Sequence, residues 1–121
     1  MVIRKSAEDY LEQILILLET KGYARSIDIA EALGVTKPSV SIAMKKLREG
    51  RYICMEKSGR ISLTDKGYPI ARHVYDRHLT LTRFFISIGV NEKTAREDAC
   101  RTEHVISEET FAMIRRQLEK A

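Results

Sequence analysis

The sequence lacks the long hydrophobic run of a membrane protein and the clustered cysteines of a small secreted one. No apolar stretch approaches the roughly 18 residues of a membrane-spanning helix, and Met1 to Ser6 is too short and too charged for a secretory signal. Cysteine occurs only at positions 54 and 100, so we expect reduced thiols rather than a disulfide framework. These absences predict a soluble, cytoplasmic protein without a membrane partner.

Internal repeats, low-complexity segments and flexible linkers are also absent. A chain of 121 residues, 44% hydrophobic and 31% charged, suits one compact domain or two small ones that share an interface. The net charge of +4 permits a polyanionic partner, but many unrelated proteins are equally basic. The location of the charge is therefore more informative than its sum.

Apolar residues recur three and four positions apart along most of the chain, which predicts helices. The second predicted helix carries Ile27, Ala30 and Leu33 as its apolar residues, and Pro38 falls in the first turn of the third. The segment LGVT, a short turn with a glycine, joins these two helices and is typical of a helix-turn-helix. The predicted helix starts are Ser6, Ser26, Thr36, Thr64, Asn91 and Ser107.

The segment YICMEKSGRISLT predicts a β-hairpin with a basic tip directly after the helix-turn-helix. This order is the winged-helix pattern, whose second helix enters the major groove of DNA while the hairpin reaches phosphates. Helical lysines alone are ordinary solvated charges, but together with the turn, the caps and the basic hairpin they predict binding to double-stranded DNA. Lysines would neutralise phosphates, serines would reach bases or backbone, and Ile42 would contact a thymine methyl group. The predicted DNA-contacting residues are Ser26, Thr36, Lys37, Pro38, Ser39, Ser41, Ile42, Lys45, Lys46, Lys57 and Arg60.

The segment ACRTEH carries three potential metal ligands. On a helix, the spacing of Cys100, Glu103 and His104 would put a thiol, a carboxylate and an imidazole on one face. Such a donor set suits a borderline divalent cation such as iron(II), cobalt(II), nickel(II) or zinc(II). Three ligands leave a site incomplete, so further donors are needed from elsewhere in the chain.

Further donors occur on two other predicted helices. Asp9 and Glu12 share a face of the first helix, and His78 occupies an apolar position of the long helix, where a buried polar group needs a partner. Each candidate also has a simpler explanation: a capping-box position for Asp9, a surface charge for Glu12, a small core residue for Cys100 and a satisfied core histidine for His78. Spacing leaves both interpretations open, because it does not show that the three segments converge.

Four motifs, AEDYLEQI, DIAEALGVTKPSVS, ISLTDKG and ACRTEHVIS, together resemble the diphtheria-toxin-repressor family of metal-dependent transcriptional regulators over nearly the whole chain. The resemblance implies a mainly α fold with a small β-hairpin wing. A winged helix-turn-helix, residues 1–68, would precede a helical metal-binding and dimerisation domain, residues 69–121. The implied function is a homodimeric repressor that binds palindromic operator DNA when loaded with metal and controls metal-uptake genes. The metal ligands that the resemblance implies are Asp9, Glu12, His78, Cys100, Glu103 and His104.

Within that family the sequence is a hybrid. Asp9 and Glu12 resemble the manganese-regulator branch, whose short members also end without a third domain, whereas Cys100 resembles the iron-regulator branch. Thr82 and Arg96 stand where iron-type members carry ancillary ligands, so we expect that ancillary site to be lost. The expected effector is manganese(II) or iron(II), with cobalt(II), nickel(II) or zinc(II) as substitutes in vitro.

Two alternatives to metal-dependent repression are open from the sequence. A metal-independent winged-helix regulator would use the polar residues only for structure, and it would bind DNA equally well with and without a chelator. A small zinc hydrolase would use Glu103 as a base, but nothing in a chain of this size suggests a substrate cleft. We therefore expect no enzymatic activity and no small-molecule substrate other than the metal ion.

Overall fold

The computed structural model of the protein describes residues 5–120, with side chains from residue 6 onward. The mainly α architecture with one small hairpin is as predicted. Within the described range the elements are α1 (Lys5–Thr20), α2 (Ser26–Leu33), α3 (Lys37–Glu49), β1 (Ile53–Met55), β2 (Ile61–Leu63), α4 (Gly67–Ser87), α5 (Glu92–Thr102) and α6 (Glu108–Glu119). None of the described helices combines the length and the apolar character needed to span a membrane.

The chain divides into two compact units, and the division lies within α4, between Arg72 and His73. The first contains α1, α2, α3 and the hairpin, and the second contains α5, α6 and the greater part of α4. The domain boundary expected between residues 68 and 69 remains a prediction.

The helix-turn-helix forms as predicted. Gly34 ends α2 in the left-handed conformation, with φ of 66°, and its N–H donates to the carbonyl of Ala30. The Thr36 hydroxyl then accepts a hydrogen bond from the Ser39 amide and caps α3, with Pro38 in the first turn. Short local interactions therefore determine where α2 ends and α3 begins.

The prediction for the apolar face of α2 was wrong for Ile27, whereas Ala30 is buried as predicted. Ile27 is 46% exposed, whereas Ile29 is fully buried beside Ala30. Residues two apart on a helix are separated by roughly 200° of rotation, so Ile27 and Ile29 cannot both face the core. The core of the first unit, around Leu11, Ile14, Val40, Met44 and Ile61, is built from α1, α3 and the hairpin as well as α2.

Two predicted helix starts also need correction. Ser6 lies inside α1, which already includes Lys5, so Ser6 is not its cap. The long helix begins at Gly67 rather than at Thr64, although the Thr64 hydroxyl accepts hydrogen bonds from the amides of Lys66 and Gly67. Gly67 approaches Tyr52 so closely that an added Cβ would lie 2.0 Å from the Tyr52 carbonyl oxygen.

The wing is the predicted two-stranded antiparallel hairpin. Ile53 pairs with Leu63, and Met55 pairs with Ile61. Its turn is closed by a hydrogen bond from the Glu56 amide to the Arg60 carbonyl, 2.9 Å long.

The second unit packs around Leu81, Ala99 and Phe111, with Phe85, Ile106 and Ile114 against them. Asn91 caps α5 and Ser107 caps α6, both through a side-chain oxygen that accepts a backbone N–H, as predicted. The segment between these two helices, residues 103–107, is called the 103–107 turn below. It carries two of the predicted metal ligands.

Candidate DNA-binding surface and candidate metal centre

The predicted DNA-contacting residues form exposed surface of the first unit, with Ser26 half-buried. On α3 the side chains of Val40, Met44 and Leu47 are buried, which turns the opposite face to solvent. The exposed surface of α3 carries three lysine ammonium groups, serine hydroxyls and the exposed apolar side chain of Ile42. It therefore combines phosphate-neutralising charge with groups that can contact base edges.

Thr36 and Ser39 stabilise the start of α3 and also belong to the predicted DNA-binding surface. The Thr36 hydroxyl donates to the Ser39 hydroxyl oxygen over 2.8 Å while it accepts from the Ser39 amide. The Ser39 hydroxyl oxygen is thus an acceptor here, and its own proton can be directed to a phosphate or a base. Capping and DNA contact are compatible roles for this pair.

Arg60 in the wing stacks on Tyr23, a residue that the sequence analysis missed. The guanidinium carbon of Arg60 lies 5.4 Å from the centre of the Tyr23 ring, within the range of a cation–π interaction. Lys57, at the hairpin tip, is exposed. Tyr23 follows Gly22 outside any helix, so no periodic pattern singled it out.

In the first unit the candidate metal ligands are Asp9 and Glu12, three residues apart on α1. Glu12 is only 7% exposed and Asp9 is partly buried. The explanation of Glu12 as a surface charge is therefore wrong, and the capping-box explanation of Asp9 fails because Ser6 lies inside the helix. A carboxylate as buried as Glu12 requires compensation by a hydrogen bond or a cation.

In the second unit Glu103 is the centre of a group of three candidate ligands. Its side chain is fully buried, with Oε2 2.9 Å from Nδ1 of His78 and Oε1 3.4 Å from Nε2 of His104. Within the described part of the chain, the buried Oε1 atom accepts no hydrogen bond. A buried carboxylate oxygen in this state is costly. Together with two imidazoles, it is the kind of donor set that a divalent cation satisfies.

The predicted common helix face of Cys100, Glu103 and His104 is wrong. The helix α5 ends at Thr102. Glu103 is its C-cap, with its N–H donating to the Ala99 carbonyl, and His104 lies in the turn that follows. Cys100 is exposed whereas Glu103 is buried. The carboxylate of Glu103 is hydrogen-bonded to a residue of α4, and the helix end allows the chain to turn there. Metal ligation by Cys100 remains a prediction.

Arg77, which the sequence analysis also missed, supports this turn from α4. It is 6% exposed, and one of its terminal nitrogens, Nη1, donates to the carbonyl oxygens of Glu103 and Ile106 at 3.1 and 2.9 Å. The other terminal nitrogen, Nη2, pairs with Glu108. An arginine in a helical sequence is normally interpreted as a solvent-exposed charge. Only the contacts in the folded protein show that this one is buried.

Comparison with known proteins accounts for almost the whole chain. Residues 3–60 match the family model "Iron dependent repressor, N-terminal DNA binding domain", and residues 64–121 match "Iron dependent repressor, metal binding and dimerisation domain". The HTH-type transcriptional regulator MntR of Geobacillus thermodenitrificans is 46% identical over 102 residues, which are 84% of this chain and 72% of that protein.

Solved structures also match nearly the whole chain, at lower sequence identity. T. acidophilum IdeR superposes with a TM-score of 0.83 and 27% identity over 98% of this chain and 55% of that one. A manganese-dependent transcriptional repressor in complex with manganese gives a TM-score of 0.85 and 28% identity over 93% and 52%. The chain thus spans about half the length of these two solved proteins.

Proposed function

The chain belongs to the iron-dependent repressor family, and from that premise we propose its effector, its ligands and its mode of action. It is a metal-dependent transcriptional repressor with a DNA-binding amino-terminal part and a metal-binding and dimerisation part. We propose that it acts in the cytoplasm as a homodimer on palindromic operators of metal-uptake genes. Relatives of this kind are transcriptional regulators, and we propose no catalytic role.

The observation that carries the metal proposal is the buried Oε1 atom of Glu103, which accepts no hydrogen bond from the described residues although it lies beside His104. This oxygen, the two imidazoles and the carboxylates of α1 fit a divalent cation in chemistry. We propose that Asp9, Glu12, His78, Cys100, Glu103 and His104 all belong to its ligand set.

When bound, the cation supplies positive charge that offsets the mutual repulsion of the carboxylates. Without that charge, Asp9, Glu12 and Glu103 would repel one another if brought close. The carboxylates of α1 belong to the DNA-binding part, whereas Glu103 and the histidines belong to the dimerisation part. Ligation by both groups therefore restricts how a dimer spaces its two copies of α3, which must match half-sites about 34 Å apart or a multiple of that distance.

For the effector we propose manganese(II) or iron(II). The carboxylates favour such hard or intermediate cations, while a thiolate at Cys100 would favour softer ones. The solved manganese-dependent transcriptional repressor that this chain resembles at 28% identity supports manganese. Cobalt(II), nickel(II) and zinc(II) should bind more tightly than manganese(II) in vitro, so an affinity ranking will not identify the physiological metal.

The test uses operator fragments selected from randomised DNA with manganese-loaded protein. Binding to these fragments is then titrated anaerobically with each metal and with a chelator. We expect metal to raise operator affinity by about 5- to 150-fold, the usual range of allosteric coupling. Equal affinity with and without chelator would instead favour a metal-independent winged-helix regulator.

A further inference from the structure

Arg77 is a buried cation that belongs neither to the proposed ligands nor to the DNA-binding surface. A buried guanidinium is costly unless most of its donors are satisfied. Here Nη1 donates to the carbonyl oxygens of Glu103 and Ile106, and Nη2 pairs with the Glu108 carboxylate. Nε has no hydrogen-bond partner among the described residues, and the guanidinium carbon lies 5.2 Å from the centre of the Phe111 ring. Three segments of the second unit therefore meet at one side chain.

These partners fix the 103–107 turn at both ends. The last carbonyls of a helix lack intrahelical donors, and Arg77 supplies a donor to the carbonyl of Glu103, directly after α5. The same nitrogen reaches Ile106, and the Glu108 carboxylate lies in the first turn of α6. The turn is therefore held from α4, independently of any ligand.

His78, the next residue of α4, holds the side chain of Glu103 through its Nδ1 atom. Consecutive residues of one helix thus bind the backbone and the carboxylate of the same glutamate. His104 follows Glu103 directly, so the direction of its imidazole depends on the same backbone.

We propose that Arg77 is a positioning residue for metal binding. It holds the 103–107 turn in the conformation in which Glu103 and His104 present their donor atoms, and so sets the metal affinity without ligating the metal. The inference rests on the proposed function, because it takes these two residues as ligands. Removal of a partner that orients a metal ligand typically weakens metal binding by about 10- to 100-fold.

Arg115 provides a matched control. Its guanidinium carbon lies 4.8 Å from the centre of the same Phe111 ring. Among the described residues, however, it donates no hydrogen bond to the 103–107 turn. Arg115→Gln therefore removes a stacked arginine from Phe111 and leaves the carbonyl contacts of Arg77 intact.

The experiment compares wild-type protein with Arg77→Gln, Arg77→Lys and Arg115→Gln. Manganese affinity is measured by competition with a fluorescent chelator, the cobalt(II) visible spectrum reports ligand geometry, and amide hydrogen exchange reports the turn in metal-free protein. For Arg77→Gln we expect a dissociation constant about 10- to 100-fold higher, an altered cobalt spectrum and faster exchange in residues 104–107. Arg77→Lys keeps the charge but lacks the guanidinium fork, so its dissociation constant should lie between those of wild type and Arg77→Gln. Arg115→Gln should have the dissociation constant and the cobalt spectrum of wild type.

A dissociation constant and cobalt spectrum within twofold of wild type in folded Arg77→Gln would overturn the inference, as would equal changes in Arg115→Gln. If Arg77→Gln does not fold, Arg77→Lys replaces it, because it keeps the charge and loses the guanidinium group whose nitrogen reaches both carbonyl oxygens. A smaller loss of affinity with an altered spectrum would then support the inference, and no change would overturn it. Wild-type protein that binds neither metal would overturn the proposed function itself.

Discussion

Glu103 has the most demanding environment of the single residues. Its carboxylate is buried, one oxygen contacts His78, and the other lies beside His104. The sequence predicted these three residues as ligands by their types and by the family resemblance. It could not predict that Glu103 would be buried and Cys100 exposed, because that difference depends on where α5 ends and on a partner from α4. The contacts of Arg77 with the 103–107 turn could not be predicted for the same reason.

Replacing Glu103 by glutamine tests the central ligand. The change keeps the side-chain shape and removes the negative charge, so Glu103→Gln should lose metal-stimulated operator binding, with the stimulation of about 5- to 150-fold falling to none. Fluorescence anisotropy of labelled operator with manganese and with chelator measures this effect. Glu97→Gln, at an exposed position of α5, should respond to metal as wild type does, and a normal response in Glu103→Gln would remove it from the ligand set.

The two cysteines offer a matched pair for the thiol ligand. Both are exposed, but only Cys100 is proposed to ligate metal. Thiolate ligation to cobalt(II) gives a near-ultraviolet charge-transfer band, which we expect in wild type and Cys54→Ser and not in Cys100→Ser. Cobalt affinity should fall in Cys100→Ser more than manganese affinity, because the thiolate favours the softer ion. An undiminished band in Cys100→Ser would exclude Cys100 as a ligand.

At the scale of helices and strands, local signals predicted more than packing did. Each of the caps at Thr36, Asn91 and Ser107 is a hydrogen bond between one side chain and the backbone of the helix it precedes. The local sequence therefore predicts them. The buried face of α2 is decided by the elements packed around it, and the prediction that Ile27 belongs to this face was wrong. The start of α4 was placed too early because Thr64 is hydrogen-bonded to the backbone carbonyls of Arg51 and Tyr52, which are distant in sequence.

The start of α4 should tolerate no side chain at Gly67. An added Cβ would lie 2.0 Å from the Tyr52 carbonyl oxygen, which is backbone and cannot rotate away. We expect Gly67→Ala to lower the free energy of unfolding by about 1–3 kcal/mol or more, as overpacking does. Urea denaturation measures the change. Asp65→Ala, at an exposed position two residues earlier, should stay within about 0.5 kcal/mol of wild type.

The exposed face of α3 predicts a salt-dependent contribution to DNA binding. If Lys45 and Lys46 each neutralise a phosphate, Lys45→Ala and Lys46→Ala should each reduce the slope of log affinity against log salt by about one. Lys93→Ala, an exposed lysine of α5, serves as the control with an unchanged slope. Unchanged slopes in both α3 variants would show that this face does not bind the phosphate backbone.

At the scale of the whole molecule, the family resemblance predicted a DNA-binding part and a metal-binding and dimerisation part, and matches over residues 3–60 and 64–121 confirm both. Sequence spacing alone could not show whether the donors of α1 and those of the second unit act on one cation, and that convergence is part of the proposal. Such convergence would couple metal binding to the stability of the folded protein.

Metal binding should stabilise the folded protein by mass action. At a free metal concentration 100 times the dissociation constant, a ligand specific for the folded state adds about 2.7 kcal/mol. We therefore expect manganese to raise the melting temperature of wild-type protein by several degrees and a chelator to reverse the shift. Differential scanning calorimetry measures this, and Glu103→Gln should show little shift. If manganese left the melting temperature of the wild-type protein unchanged, this would contradict the proposal that the folded protein contains a metal site.

The exposure of Cys100 bears on how such a regulator evolves. Substitutions at exposed positions usually change stability by less than about 0.5 kcal/mol, so mutation can exchange a thiol for a carboxylate there without endangering the fold. Glu103, buried and hydrogen-bonded to α4, has no such freedom. If Cys100 ligates metal, a lineage can drift between effector ions through this one tolerant position while the buried part of the centre is inherited unchanged.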